Sequence, residues 1–416
     1  MAAQFFSSLA DNALFVAAVE LLRTSGAPEW QRAALVPMFA LFYVVLAPFV
    51  GAFADALPKG KVMFVANSIK VVGCLMMLFG THPLAAYAIV GLGAAAYSPA
   101  KYGILTELLP PSQLVKANGW IEGLTIGSII LGVLLGGQLI GPRIAPMLLG
   151  FDFPWVDTGV DTPPEAAIAT MILVYVLAAA FNLRIPNTGV ALQPIPDASH
   201  LLPDFWRCNV RLWKDKLGQI TLGVTTLFWG AAANLKFIVL AWAAASLSYS
   251  TSQATYLQGV VAIGTAVGAI IASSRMSLDR PTNVIPMGIG MGLAVVGMIF
   301  IGNIWVAIPF LIALGGLGGY LVVPMNALLQ HRGHMLMGAG RSIAVQNFNE
   351  QAGILVLSGF YALITGLGVS VYVAISLFGL LVAAAMYGIG GWHKSNLVHH
   401  HAELDRLLAM AKSDKH

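Results

Sequence analysis

Long apolar runs recur along the whole chain, and each is long enough to cross a lipid bilayer as a helix. Crossing takes about 20 mainly apolar residues, and a helix satisfies all backbone polar groups within the segment. We predict twelve spans, the first six at 3–22, 33–54, 62–80, 84–105, 114–140 and 166–184. The second six are predicted at 219–245, 250–273, 283–302, 304–330, 342–366 and 368–391.

The composition excludes a soluble globular protein. Hydrophobic residues make up 58% of the chain and charged residues only 10%, against about 25% charged in a typical soluble domain. The sequence therefore predicts an all-α integral membrane protein. We divide it into a six-helix bundle at 1–184, a cytoplasmic linker at 185–217, a second bundle at 218–391 and a cytoplasmic tail at 392–416 with a short amphipathic helix.

The positive charges predict the orientation of the spans. If both termini are cytoplasmic, seventeen of the 22 lysines and arginines lie at cytoplasmic helix ends or in the tail, and three lie outside. Loops rich in Lys and Arg stay on the cytoplasmic side of a membrane. The two remaining cations, Lys70 and Lys236, fall within predicted spans.

An internal repeat with an offset of 225 residues relates the two halves. The matching positions are Gly91–Gly93 with Gly316–Gly318, Pro99 with Pro324, Lys116 with Arg341, and Asp11 with Lys236. Parallel repeats about an axis along the membrane normal are the pattern of the major facilitator fold. We therefore predict two parallel, pseudo-symmetric six-helix bundles with about twelve transmembrane helices.

The repeat places an acid and a base at equivalent positions in the two halves. A charge inside a membrane segment costs a few kcal/mol or more, so it usually faces a cavity or a partner. Our hypothesis is that Asp11 and Lys236 line one central cavity and contact each other or the two poles of a zwitterionic substrate. A purely structural buried ion pair is the alternative.

Two further acids lie within predicted spans. Glu350 has Asn347 among its polar neighbours, and Glu122 lies near the cytoplasmic end of its helix. Either acid is suited to bind an ammonium group or to titrate during transport. For Glu122 the alternatives are snorkelling or pairing with Lys116. For Lys70 we favour snorkelling or a structural pair.

The loop between the second and third predicted helices contains Gly51, Asp55, Lys59 and Lys61. A glycine, an acid four residues later and two cations resemble the signature motif of the major facilitator superfamily, although Ala56 and Pro58 depart from it. The carboxylate of Asp55 suits the positive N-terminal end of a helix, such as the one that begins near Arg341. These residues are predicted to form a gate, and an ordinary turn is the alternative.

Small residues spaced four apart predict close helix packing. They occur in the fifth predicted helix at Gly119, Gly123, Gly127, Gly132 and Gly136, and in the eighth at Gly264 and Gly268. We expect a packing seam between these two helices, one from each half.

Three runs, Phe5–Leu14, Gly93–Leu105 and Leu114–Gly119, resemble the bacterial lysophospholipid transporter family. The resemblance implies movement of lysophospholipids, such as lysophosphatidylethanolamine, to the cytoplasmic leaflet of the bacterial inner membrane. A separate acyl–carrier-protein synthetase/acyltransferase then rebuilds the diacyl lipid. Within these runs, Asn12 and Lys101 are added to the predicted head-group site. Lys236 stands where relatives carry Arg, which keeps the charge but loses the planar fork.

Two other functions stay open on the sequence alone. A proton-coupled exporter or symporter of a small solute would use Asp11 and Glu350 as titrating acids. A scaffold would recruit a lipid-remodelling enzyme through its tail. No catalytic triad or nucleotide-binding loop is found in the sequence, so we expect no enzyme activity, no cofactor, no metal site, no nucleic-acid partner and a monomer.

Overall fold

The computed structural model describes residues 1–150, 160–195, 197–249, 251–276 and 281–412. Its first eight helices are α1 (Ala2–Thr24), α2 (Glu29–Val45), α3 (Ala47–Ala56), α4 (Lys59–Leu78), α5 (Pro83–Leu108), α6 (Pro111–Leu139), α7 (Ala145–Leu149) and α8 (Pro163–Asn182). The others are α9 (Ala198–Lys214), α10 (Gly218–Leu247), α11 (Thr251–Arg275), α12 (Ile285–Gly297), α13 (Ile304–Met337), α14 (Ala339–Gly366), α15 (Val371–His399) and α16 (His401–Lys412).

The predicted membrane spans appear as long helices. Over the described ranges, nine helical segments have the length and apolarity to cross a membrane, and the bent pair α2–α3 makes a tenth. Two more helices, α5 with 26 residues and α14 with 28 residues, are long enough but more polar. Counting these two, the twelve predicted spans each correspond to a helix or a helix pair.

The second predicted span is broken rather than straight. Its two parts, α2 and α3, are bent by 64° at a break next to Leu46. Pro48 lies in the first turn of α3, where a proline is tolerated because its missing N–H is not needed for a helical bond. The same proline cannot donate a hydrogen bond that would continue α2, which favours a break at this point. Proline alone does not determine it, because Pro99 and Pro324 lie inside the unbroken helices α5 and α13.

The described chain divides into two compact units. Unit 1 consists of Met1–Glu107, Gly127–Phe205 and Ala339–Ala344, and unit 2 of Leu108–Ile126, Trp206–Gly338 and Val345–His416. In unit 1, fully buried side chains of α1, α4, α5 and α8, among them Leu14 and Tyr175, form a continuous apolar core. The domain boundaries drawn from the sequence stay a prediction.

Glycines determine the close helix contacts of unit 2. A Cβ atom added to Gly268 of α11 would lie 2.1 Å from the carbonyl oxygen of Gly316, and one added to Gly319 of α13 would lie 2.0 Å from that of Thr265. Because no side chain fits at such distances, α11 and α13 pack backbone against backbone.

The glycines of α6 do not form the continuous seam with α11 that we expected. Only Gly119 packs against α11, at Ala269 and Ser273. Gly132 and Gly136 instead pack against α1, while Cβ atoms added to Gly123 and Gly127 would meet open space. The four-residue spacing predicted close packing but did not identify the partner helix.

The polar regions contain two further helices. The predicted tail helix is confirmed as α16, in which Leu404 and Leu407 are buried; residues 413–416 of the predicted tail lie outside the described residues. The linker, which was predicted only as a polar stretch, contains the 17-residue helix α9.

Candidate functional site

A buried ion pair joins α1 to α4 within unit 1. The ammonium Nζ of Lys70 lies 2.8 Å from Oδ1 and 2.9 Å from Oδ2 of Asp11. The Lys70 side chain is 1% exposed, whereas that of Asp11 is 21% exposed. A buried charge is costly unless it is paired and hydrogen-bonded, and both conditions are met here.

Two tyrosines enclose the same ammonium group. Nζ of Lys70 lies 5.1 Å from the ring centroid of Tyr97 in α5 and 5.4 Å from that of Tyr175 in α8. At these distances the ring faces attract a cation. The hydroxyl of Tyr175 also donates to Oδ1 of Asp11 at 2.7 Å. Four helices of unit 1 therefore converge on this one pair.

Further polar side chains continue the hydrogen bonds of the ion pair on the side of Lys70. Lys70 Nζ donates to Oγ of Ser7 at 3.0 Å, and that hydroxyl donates to Oδ1 of Asn67 at 2.8 Å. Within the described part of the chain, the Asn67 amide nitrogen and the Tyr97 hydroxyl have no hydrogen-bond partner although both are buried. Unpartnered buried donors of this kind suit a ligand that brings acceptor oxygens.

We name the residues Ser7, Asp11, Asn67, Lys70, Tyr97 and Tyr175 the charge-pair cluster. Of the residues predicted from the sequence, Asn12 lies next to it on α1, where its amide donates to the carbonyl of Ser8 at 2.8 Å. Lys101, further along α5, places its Nζ 4.0 Å from the ring centroid of Tyr102. Lys70 is paired with Asp11, as one of the two alternatives considered for it requires, and does not snorkel.

The other predicted head-group residues belong to unit 2. Glu350 is buried, and its Oε1 accepts from Nε2 of Gln346 at 2.7 Å. The same Gln346 amide donates to Asn326 at 3.0 Å. Glu122 is buried and Asn347 is half-buried, whereas the Lys236 side chain is exposed. Their predicted role as substrate ligands stays a prediction.

The predicted gate is assembled around Asp55 at the end of α3. Its Oδ1 accepts the backbone N–H of Gly340 at 2.6 Å, and its Oδ2 accepts that of Arg341 at 2.9 Å. The Arg341 guanidinium approaches Oδ2 to 3.6 Å. These are the first free N–H groups of α14, so a carboxylate there satisfies both hydrogen bonding and the helix dipole.

Two residues of the predicted gate differ in their contacts. Lys59 is buried, and its Nζ contacts Asp55 at 3.1 Å and Glu107 of α5 at 3.0 Å. Lys61 is exposed at the surface of α4. Gly51 lies against the start of α14, where an added Cβ would come within 2.8 Å of the Ala344 Cβ. The contact between Asp55 and the start of α14 is therefore as predicted, while its gating role stays a prediction.

Sequence reasoning missed several partners in these clusters. Tyr175 has no sequence signal, because a tyrosine in an apolar helix is most often core. Asp204 accepts from Nε of Arg341 at 3.1 Å, and Arg332 pairs with Asp215 at 2.5 Å. The charge of these residues was the available signal. Asp204 and Asp215 each lie in a helix or turn beside the predicted cytoplasmic ends of the membrane helices.

Comparison with known proteins gives matches over most of the chain. Residues 1–357 match the model of the Major Facilitator Superfamily. A lysophospholipid transporter LplT of Yersinia enterocolitica is 39% identical over 373 residues, which cover 89% of this chain and 87% of the relative. An LplT of Yersinia pestis is 39% identical over 374 residues with the same coverage.

Solved structures show the same fold. The crystal structure of the major facilitator transporter FucP in the outward conformation aligns with a TM-score of 0.71 at 12% identity, covering 94% of this chain and 97% of that one. A bacterial homologue of the iron transporter ferroportin in an outward-facing state aligns with a TM-score of 0.65 at 15% identity, covering 94% and 98%. At such low identity the likeness is one of fold alone.

Proposed function

Because the chain belongs to the major facilitator superfamily and, within it, to the family of lysophospholipid transporters, we propose that it moves lysophospholipids to the cytoplasmic leaflet by alternating access. The observation that carries this proposal is the sequence identity with named lysophospholipid transporters over most of the chain. Charges buried inside a membrane protein are usually functional. The buried charges of unit 1 therefore agree with a multi-pass membrane transporter.

The charge-pair cluster suits the head group of this substrate. A lysophospholipid carries a phosphate, and lysophosphatidylethanolamine also carries an ammonium group. A phosphate oxygen competes with Asp11 for the Lys70 ammonium, and an ammonium competes with Lys70 for Asp11. The free donors of Asn67 and Tyr97 add hydrogen bonds for the phosphate or the glycerol hydroxyl.

Other polar residues are proposed to take part elsewhere in the cycle. We assign head-group contacts to Asn12 and Lys101 in unit 1 and to Glu122, Lys236, Asn347 and Glu350 in unit 2. Each is a polar or charged side chain on one of the helices that correspond to the predicted spans, where charged residues are costly and usually functional.

The contact between α3 and the start of α14 is proposed to work as a gate. Closing it forms the bonds from Gly340 and Arg341 to Asp55, and opening it breaks them. Gly51 keeps the two helices close enough for these bonds, while Lys59 holds the carboxylate in place and Lys61 adds surface charge. The gate consists of hydrogen bonds from two backbone N–H groups to one carboxylate. It therefore needs no large rearrangement of side chains.

The cellular setting is part of the proposal. The distribution of lysines and arginines supports a location in the bacterial inner membrane with both termini in the cytoplasm. The transported lipid lacks one acyl chain, so a separate acyl–carrier-protein synthetase/acyltransferase would consume it. We propose that the transporter works as a monomer.

The direct test is leaflet-resolved movement of labelled lysophosphatidylethanolamine in vesicles that contain the purified protein. We expect faster movement than in protein-free vesicles, and no acceleration of a diacyl phosphatidylethanolamine with the same label. Equal rates with and without protein, for a sample that is folded by its melting profile, would contradict the proposal. The exporter or symporter alternative predicts instead that a pH gradient drives uptake of a soluble solute into the same vesicles.

A further inference from the structure

Helix α9 presents an apolar stripe that protein does not cover. One face of the helix is buried through Leu201, Phe205, Cys208 and Leu212. Beside this face, Leu202 is 65% exposed and Trp206, one turn later, is 57% exposed. Val210 and Trp213 continue the stripe at helical spacing and are half-buried. A tryptophan with this exposure is unusual in an aqueous setting and typical of a membrane interface.

A row of cations borders the same stripe. Arg207 and Lys214 are exposed and seven residues apart, so they lie two turns apart along one side of the helix. Arg211 lies next to this row and is also exposed. An apolar stripe flanked by Lys and Arg is the pattern of helices that lie in the head-group region of a bilayer.

Three polar contacts attach the C-terminal part of α9 to the membrane helices α13 and α14, one of them at the end of α13. Arg211 Nη1 donates to the carbonyl of Leu336 in the last turn of α13 at 2.8 Å. Trp213 Nε1 donates to Oδ1 of Asn349 in α14 at 3.1 Å, and Asn349 Nδ2 donates to Asn209 at 2.8 Å. Four residues beyond α9, the chain enters the span α10 at Gly218. The helix is therefore attached to α13 and α14 and lies close in the chain to the start of α10.

We propose that the α9 surface formed by Leu202, Trp206, Val210, Arg207 and Lys214 binds anionic phospholipid head groups of the leaflet beside it. The apolar stripe enters the boundary between head groups and acyl chains, and the cations meet the phosphates. Charge complementarity favours this occupant over a soluble protein, and the contacts to α13 and α14 supply continuity with the membrane. The inference is independent of which lipid the protein transports.

The experiment places a reporter on α9 in the full-length protein. A fluorophore is attached to the Leu202→Cys variant in a background where Cys74 and Cys208, both buried, are replaced by alanine. The matched control carries the same fluorophore at Ala402→Cys, an exposed position of helix α16. Each protein is reconstituted in phosphatidylcholine vesicles or in equal parts of phosphatidylcholine and phosphatidylglycerol. Quenching by brominated lipid is compared with quenching by iodide in water.

In the vesicles with phosphatidylglycerol, we expect brominated lipid to quench the α9 label at least about threefold more strongly than the α16 label. Iodide should show the reverse order. Lys214→Gln should reduce lipid quenching of the α9 label in these vesicles and leave it unchanged in pure phosphatidylcholine. Lys214 is exposed, so this substitution leaves the fold intact.

Two results would overturn the proposal. An α9 label that iodide reaches as readily as the α16 label, in both kinds of vesicle, would place the stripe in water and leave it to a soluble protein. Lipid quenching that is equal in both vesicles and insensitive to Lys214→Gln would show an apolar contact without recognition of anionic head groups. If Leu202→Cys does not fold, the same quenching measurements with a label at Val210→Cys test the proposal.

Discussion

At the scale of single residues, the central feature is an ammonium group that water hardly reaches. Lys70 is paired with Asp11 and enclosed by the rings of Tyr97 and Tyr175. The pair is asymmetric, because the carboxylate is partly exposed and the ammonium is not. If the charge-pair cluster binds the head group, we expect the ligand to reach Asp11 before Lys70.

The first prediction separates a substrate site from a structural pair. Asp11→Asn should lower the free energy of unfolding by about 3–5 kcal/mol, because it leaves the buried Lys70 ammonium without its partner. Lys70→Met should lower it by less, because the Asp11 carboxylate is 21% exposed. The double variant should regain most of the melting temperature, since no charge is left unpaired, and should still not transport. Lys394→Met, at an exposed position of α15 outside the proposed sites, is the control. A double variant that recovers transport as well would make the pair purely structural.

A second prediction compares the two tyrosine hydroxyls. Tyr175→Phe removes the bond to Asp11 and should destabilise the protein by about 1.5–3 kcal/mol, the usual range for a hydrogen bond to a charged group. Tyr97→Phe removes a hydroxyl without a protein partner in the described residues, so the melting temperature should hold or rise. If the Tyr97 hydroxyl binds the head group, the apparent KM for lysophospholipid rises in Tyr97→Phe. An unchanged KM would remove Tyr97 from the site.

At the scale of helices, small residues decide which elements approach. Gly51 on α3 and Gly340 on α14 meet where the Asp55 carboxylate is shared between two N–H groups. A side chain at Gly51 would collide with Ala344 and with the backbone of Arg341. The closed contact between α3 and α14 therefore depends on the absence of a single methyl group.

The third prediction uses that dependence. In Gly51→Val, α14 should move away from α3, and a cysteine placed at Ser342, which is 1% exposed, should react with a water-soluble maleimide about tenfold faster. Gly123→Val is the matched control, because nothing lies within 4 Å of its added Cβ, and it should leave the reaction rate unchanged. Equal rates in the two variants would show that Gly51 does not determine the contact.

The elements also show where sequence reasoning succeeds and where it stops. Apolar runs located the spans, because lipid imposes length and apolarity on each helix separately. The contact of Asp55 with the start of α14 was predictable because a carboxylate and a helix N-terminus attract wherever they meet. The pairing of Lys70 with Asp11 was not, since it depends on how α1 and α4 are rotated. Helix α9 was not predicted because its composition is polar, although its apolar residues recur at helical spacing.

At the scale of the whole molecule, the orientation in the membrane rests on the distribution of charge. The fourth prediction tests it with two cysteines. Met147→Cys in α7, at a position 76% exposed, should react with an impermeant maleimide in intact cells whose outer membrane has been made permeable. Ala402→Cys in α16 should react only after the inner membrane is opened. The reverse pattern would invert the topology, and reaction of both in intact cells would contradict the count of spans.

The neutrality of the charge-pair cluster has a consequence for how the membrane voltage acts. Asp11 and Lys70 cancel, so moving this site relative to the bilayer transfers no net charge. This site then contributes no electrical work of its own. The cargo adds no net charge when it is zwitterionic lysophosphatidylethanolamine and one negative charge when it is lysophosphatidylglycerol. Carrying that charge towards a negative interior opposes the potential by about 2.3 kcal/mol per 100 mV. Polarising the vesicles should therefore slow the anionic lipid and leave the zwitterion unaffected, so cells with a high membrane potential would recover the two lipids at different rates.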